Sequence, residues 1–149
     1  MSLSYDVFTA AFLAKISEFE FATMDDDIRT GSVDGYLKRA VAAFRRNCKY
    51  DFSSTADDDE REFAVDVAED DIDELVDIIS EGMLVQWMKP YVYNQENLEQ
   101  QLNTRDFTIY SPAELLAKIG SAYATARKNY KNMIYDYSYK HGDLSSLHL

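Results

Sequence analysis

The feature that most constrains this chain is the run from Leu75 to Leu116, where a helical stretch meets one proline and a second proline opens another helix. From about Glu69 to Met88, Ile72, Val76, Ile79, Met83 and Trp87 recur at spacings of four, three, four and four, and Leu75 and Ile78 widen the stripe. That period lets a helix bury one face. Pro90 lacks an N–H and disfavours helix in the residue before it, so the pattern predicts a stop there. Ser111-Pro-Ala-Glu114 is a capping box with proline at the first helical position, and it predicts a helix from Pro112. Both prolines and the only tryptophan lie in this run. Only five glycines and two prolines occur in 149 residues, which argues against a turn-rich all-β fold.

The remaining segments extend the helical reading. Ser4 is placed to cap a helix from Tyr5 to about Phe21, with Val7, Phe8, Ala11, Phe12 and Ile16 as its apolar stripe. A second helix is predicted from about Val33 to Asn47, with Tyr36, Leu37, Ala40, Val41 and Phe44 on one face. Lys38, Arg39, Arg45, Arg46 and Lys49 crowd its other face and its C-terminal end, where cations complement the helix dipole. Residues 48–62 are polar, acidic and aperiodic and read as a loop, and Glu62–Val67 alternates like a short extended piece. Asn94 can cap a short helix bearing Leu98 and Leu102, followed by an extended connector over Asp106–Tyr110. The last helix is predicted from Pro112 to about Tyr139, striped by Leu115, Leu116, Ile119, Tyr123, Ala126, Tyr130, Ile134 and Tyr137, with Gly142 as its stop. The expected fold is therefore all-α, a bundle of four or five helices with a long C-terminal helix. It forms one domain over residues 1–142, and residues 143–149 make an extended tail.

Charge is unevenly placed. The net charge is −12, and residues 57–81 hold thirteen acids against one base, Arg61. The rest of the chain holds equal numbers of acids and bases and cancels. Phosphate repels such a segment, so nonspecific nucleic-acid binding is disfavoured. A basic partner, DNA mimicry or a surface that repels DNA is permitted. No apolar run approaches the roughly 18 residues that span a bilayer. The first residues lack the basic start of a signal peptide, so a soluble intracellular product is expected.

The search for chemistry ends early. Cys48, the one cysteine, has Arg45, Arg46 and Lys49 nearby to lower its pKa, but the two histidines, His141 and His148, sit in the last nine residues. Asp57-Asp58-Asp59-Glu60 and Asp25-Asp26-Asp27 lack the alternating ligands, central glycine and distal glutamate of a calcium loop, so solvated acidic loops are expected and no metal site. Phosphate-loop, dinucleotide and zinc-protease motifs are missing from the sequence. No catalytic residue, cofactor site or enzyme activity is assigned. Tyr123, Tyr130 and Tyr137 fall seven apart, which suits helix packing, whereas Tyr135 and Tyr139 share another face. That face, with Leu144, Leu147 and Leu149, reads as a docking tail, either on another chain or back on its own domain.

Several segments together resemble a known class: Glu81-Gly-Met-Leu-Val-Gln-Trp-Met-Lys-Pro90, Asn94 and Asn97-Leu98, Asp106-Phe107, Tyr110-Ser111, Leu115-Leu116, Ile134-Tyr-Asp-Tyr-Ser-Tyr139 and Gly142-Asp143-Leu144. They are similar to the head–tail joining (neck adaptor, or head-completion) proteins of tailed bacteriophages, over about residues 70–147. The resemblance implies a virion protein made in the bacterial host cytoplasm. It implies a homo-oligomeric, dodecameric ring between the portal protein and the next neck or tail protein, continuing the DNA channel without sequence-specific binding and without a membrane. It gives Tyr135, Tyr137, Tyr139, Leu144, Leu147 and Leu149 a role in docking on the portal. The charge pattern adds the expectation that Asp57, Asp58, Asp59, Glu60, Asp70 and Asp71 face the channel. The alternative function is an acidic DNA mimic that inhibits a host nucleic-acid-binding protein.

Overall fold

Ser4 sets where the first helix begins. In the computed structural model, which describes residues 2–16, 33–93 and 112–141, its Oγ accepts the N–H of Asp6 at 3.2 Å. This is an N-cap, and α1 runs from Tyr5 to Ile16. Tyr5, Phe8, Phe12 and Ile16 are buried along its inner face, whereas Val7 is exposed. α2 (Val33–Phe44) buries Leu37, Ala40, Val41 and Phe44. It ends three residues before the expected Asn47, because the amides of Arg45 and Asn47 bond back to the Ala42 and Phe44 carbonyls and close a tight turn.

α3 (Glu69–Tyr93) is the central helix, and α1, α2 and α4 (Pro112–His141) all pack on it. Its first half follows the sequence reading, with Asp70, Asp73 and Asp77 exposed opposite Leu75 and Ile78. Its second half is enclosed on every side from Ile78 to Val85. The buried hydroxyl in that stretch, Ser80, donates to the Asp77 carbonyl at 3.0 Å. Pro90 does not end the helix, contrary to expectation. Proline forfeits one backbone bond, while Met88 before it is fully buried and Val92 after it packs on the core.

α4 starts at Pro112 as its capping box predicts, and buries Ile119, Tyr123, Ala126 and Tyr137. Glu74 on α3 meets Lys140 on α4, and Gly82 on α3 meets Tyr130, so the two helices run antiparallel. Gly82 also faces Ala40, and Phe44 meets Tyr137 with ring centroids 5.3 Å apart, which sets α2 parallel to α4. A Cβ on Gly82 would lie 2.9 Å from the Tyr130 ring, so this crossing needs glycine.

Residues 45–68 are more structured than their polar composition suggests. β1 (Leu3–Ser4), β2 (Ala56–Asp57) and β3 (Glu62–Phe63) form a small antiparallel sheet in the order β1-β3-β2. Leu3 pairs with Phe63 and Ala56 with Phe63. Phe52 and Phe63 are buried against Tyr5 and Phe8, with centroid separations from 4.7 to 6.0 Å. The sheet is thus a flap held onto the start of α1 by four aromatic rings. Among the described residues the fold is all-α with this one small sheet. The helix expected to bear Leu98 and Leu102, the connector Asp106–Tyr110 and the tail lie outside the described residues.

Candidate interaction surface

The acidic window folds into two separate groups. Asp57, Asp58, Asp59 and Glu60 form the tip of the β2–β3 hairpin, and all are exposed. The Asp57 carboxylate accepts the N–H groups of Asp59 and Glu60 at 3.1 and 3.2 Å, which shapes the turn. Asp58 accepts the Tyr5 hydroxyl at 2.8 Å and pairs with Lys38. Those two partners, Lys38 first, hold its carboxyl below the usual carboxylate range. The second group opens α3. Asp70 is exposed there, while Asp71 is half-buried and accepts the Tyr50 hydroxyl at 2.6 Å. Tyr50 in turn accepts the Ala68 N–H at 3.2 Å, so one tyrosine caps the entry to α3.

Bases from other helices reach into both groups. Lys15 contacts the Asp77 carboxylate and the Glu81 carboxylate, each at 2.8 Å, and Lys140 contacts Glu74 at 2.8 Å. Glu81 is buried, so Lys15 is the counter-ion of a largely desolvated carboxylate. The window's own base, Arg61, turns away from it. Its guanidinium grips both oxygens of Asp34 at 2.9 and 2.8 Å and reaches Asp6 at 2.7 Å. Its carbonyl accepts the Tyr5 N–H at 2.9 Å. Arg61 has a φ of 54°, the left-handed region, at the end of the hairpin turn. It therefore clamps the first turns of α1 and α2 to the hairpin and forms no ion pair with Asp59 or Glu60 beside it.

The tyrosines proposed for docking divide. Tyr139 is 72% exposed near the end of α4. Tyr135 is half-buried, with the Lys131 ammonium 5.7 Å from its ring centre. Tyr137 is a correction: it is 1% exposed, packs on Phe44, and its hydroxyl accepts the Lys49 N–H at 3.0 Å. Its place in the seven-residue series Tyr123, Tyr130, Tyr137 puts it in the core rather than on the face of Tyr135 and Tyr139. Leu144, Leu147 and Leu149 lie outside the described residues.

Cys48 is half-buried beside Tyr137, and burial pushes its thiol above the ordinary value. The basic neighbours in sequence do not lower it, so it is a poorer nucleophile than a free thiol. Among the described residues no cluster of three or more ligating side chains could hold a metal, and no helix is long and apolar enough to cross a membrane. Sequence reasoning missed the Arg61 clamp, the Lys15–Glu81 pair and the Tyr50 cap. Each joins residues at least 18 positions apart, and single-sequence periodicity carries no signal for that. Comparison with family models, curated proteins and solved structures gives no match.

Proposed function

We propose that this protein is a structural component of a tailed-phage virion, a neck adaptor that joins the portal to the tail. The reading rests on the resemblance of the segments between Glu81 and Leu144. The observation on the molecule that supports it best lies near the end of its longest helix. There α4 presents Tyr139 to solvent and Tyr135 half-exposed, just ahead of a tail with three leucines. Aromatic rings with a wet hydroxyl, followed by spaced leucines, suit docking into a groove on a larger partner. In this reading the portal is that partner, copies assemble as a dodecameric ring, and the protein is not an enzyme.

A DNA mimic that blocks a host nucleic-acid-binding protein is the second reading, favoured by the exposed carboxylates of Asp59, Glu60 and Asp70. It needs carboxylates spread like phosphates over one surface. Here they fall into two groups, each partly neutralised by lysines.

Mass measurement with purified portal separates the two. An adaptor forms a ring on the portal, and removing residues 142–149 abolishes it. A full-length chain that never binds portal sinks the adaptor reading, and tight one-to-one binding to a host nuclease or polymerase establishes mimicry.

A further inference from the structure

Once the ion pairs are assigned, the remaining charges are segregated. The bases that pair within the chain are Lys15, Lys38, Arg61 and Lys140. A second set has no ion-pair partner among the described residues. It includes Arg39 on α2, Arg45 and Arg46 in the turn that follows it, and Arg127, Lys128 and Lys131 on α4, all exposed; Lys49 and Lys89 belong to it as well. Arg39 lies opposite the buried face of Leu37, Ala40, Val41 and Phe44. Lys128 lies opposite Ala126, Tyr130 and Tyr137. α2 and α4 run side by side in one direction on α3, so their outward faces make one flank. Asp136, an exposed acid on α4, sits near Lys140. A chain of net charge −12 therefore carries a flank on which bases outnumber acids.

The acids left over are as well defined. Asp59 and Glu60 on the hairpin, and Glu69, Asp70 and Asp73 on the first turns of α3, are exposed and form no ion pair among the described residues. We propose that the α2–α4 flank of one copy docks the uncompensated acids of a second copy, head to tail. Charge complementarity selects the occupant, because the chain itself presents exposed carboxylates that form no ion pair among the described residues. The two faces differ, so the contact is heterologous, and repetition of it closes a ring or extends a filament. Nucleic acid fits less well. A phosphate backbone long enough to cover the flank also meets the free acids, and two of the tyrosines that would stack on bases, Tyr123 and Tyr137, are buried. The inference deepens the adaptor reading by naming the contact between ring neighbours, and it rests on that reading only for closure of the ring.

The test mixes copies labelled with different nitrogen isotopes and treats them with a carbodiimide, which joins a lysine amine to a touching carboxylate. Mass spectrometry then identifies each link and the copies it joins. The expected result is mixed-isotope links from Lys128 or Lys131 to Glu60, Glu69, Asp70 or Asp73 at about 50 mM salt. Their yield falls roughly tenfold at about 500 mM salt, where screening is short-ranged. It falls similarly in Arg39→Glu/Arg46→Glu, whose helical circular dichroism stays native because both arginines are exposed. Mixing that variant with Asp70→Lys/Asp73→Lys restores links from the lysines of the second to the acids of the first. Links confined to single-isotope pairs overturn the proposal, as does an undiminished yield in the arginine variant. A duplex DNA complex lost in the arginine variant, with no mixed-isotope links, assigns the flank to nucleic acid and also overturns it. Mixed-isotope links without portal binding leave this contact standing and remove the adaptor reading. Portal binding with single-isotope links alone does the reverse.

Discussion

At the scale of single residues, the bundle depends on one close approach and one desolvated ion pair. Gly82 lets Tyr130 and Ala40 reach the backbone of α3; an added methyl would stand 2.9 Å from Cε1 of Tyr130 and 3.2 Å from Cβ of Ala40. In an exposed helix, glycine to alanine gains about 1 kcal/mol. Here overpacking of about 1–3 kcal/mol opposes that gain. Gly82→Ala is expected to lose about 1 kcal/mol net in urea unfolding, and Tyr130→Leu in the same chain to recover most of it. A Gly82→Ala variant more stable than wild type would show that the ring moves freely. The Lys15–Glu81 pair behaves differently. Its side chains are 22% and 10% exposed, so Lys15→Met strands a carboxylate in the core. The expected cost is about 3 kcal/mol, whereas Lys15→Met/Glu81→Leu recovers most of it because neither charge remains to be desolvated. Equal losses in the single and double variants would mean that the pair acts through packing alone. Neither contact was legible in the sequence. Gly82 and Glu81 stand inside the α3 pattern with no signal of their own, because periodicity gives the direction of a side chain but not what arrives from another helix.

At the scale of elements, legibility followed the length of the periodic signal. α2 and α4 were readable from their stripes, and the Ser4 and Ser111-Pro112 start signals matched where α1 and α4 begin. The Pro90 stop failed because tertiary burial on both sides outweighs one lost backbone bond. The β2–β3 hairpin failed for the opposite reason. Two-residue strands carry no period, and the residues that hold them, Phe52 and Arg61, stand alone among polar neighbours. The hairpin's attachment yields a pH prediction. The Arg61 guanidinium, bonded to Asp34, holds that carboxyl below its ordinary range. A depressed acid stabilises the fold above its unfolded pKa, about 3.9, and that contribution is lost as pH falls through the folded value. Wild type should therefore lose part of its stability below about pH 4. Arg61→Leu, already without the fork, should lose less over the same interval. Urea midpoints at pH 5 and pH 3 measure the difference; equal slopes would mean that Asp34 is not coupled to Arg61. Both side chains are about 40% exposed, so the effect at neutral pH is small.

At the scale of the whole molecule, the four described helices and the sheet share one core, and three of the groups packed in it are tyrosines whose titration is shifted upward. Trp87 is buried in that core beside Phe12. Burial raises the phenol of Tyr130 to about 12, and its hydroxyl has no hydrogen-bond partner among the described residues. Burial also raises Tyr137, and burial followed by Asp58 raises Tyr5. The three come from α1 and α4, both of which pack on α3. A raised acid is neutral in the fold but ionised in the unfolded chain above about pH 10, so its stabilisation is complete below that pH and is lost as pH rises through the folded value. Each such tyrosine steepens the fall by up to about 1.4 kcal/mol per pH unit. The protein is therefore expected to unfold cooperatively between about pH 10 and 12. Trp87 fluorescence, helical circular dichroism and the phenolate absorbance of the buried rings should change together, because no ring can ionise without opening the core that holds the tryptophan. Tyr130→Phe removes an unpartnered hydroxyl as well as a titrating group, so it should shift the transition to higher pH at little cost near neutrality. A phenolate signal that runs ahead of the Trp87 change would show that these tyrosines ionise within an intact bundle.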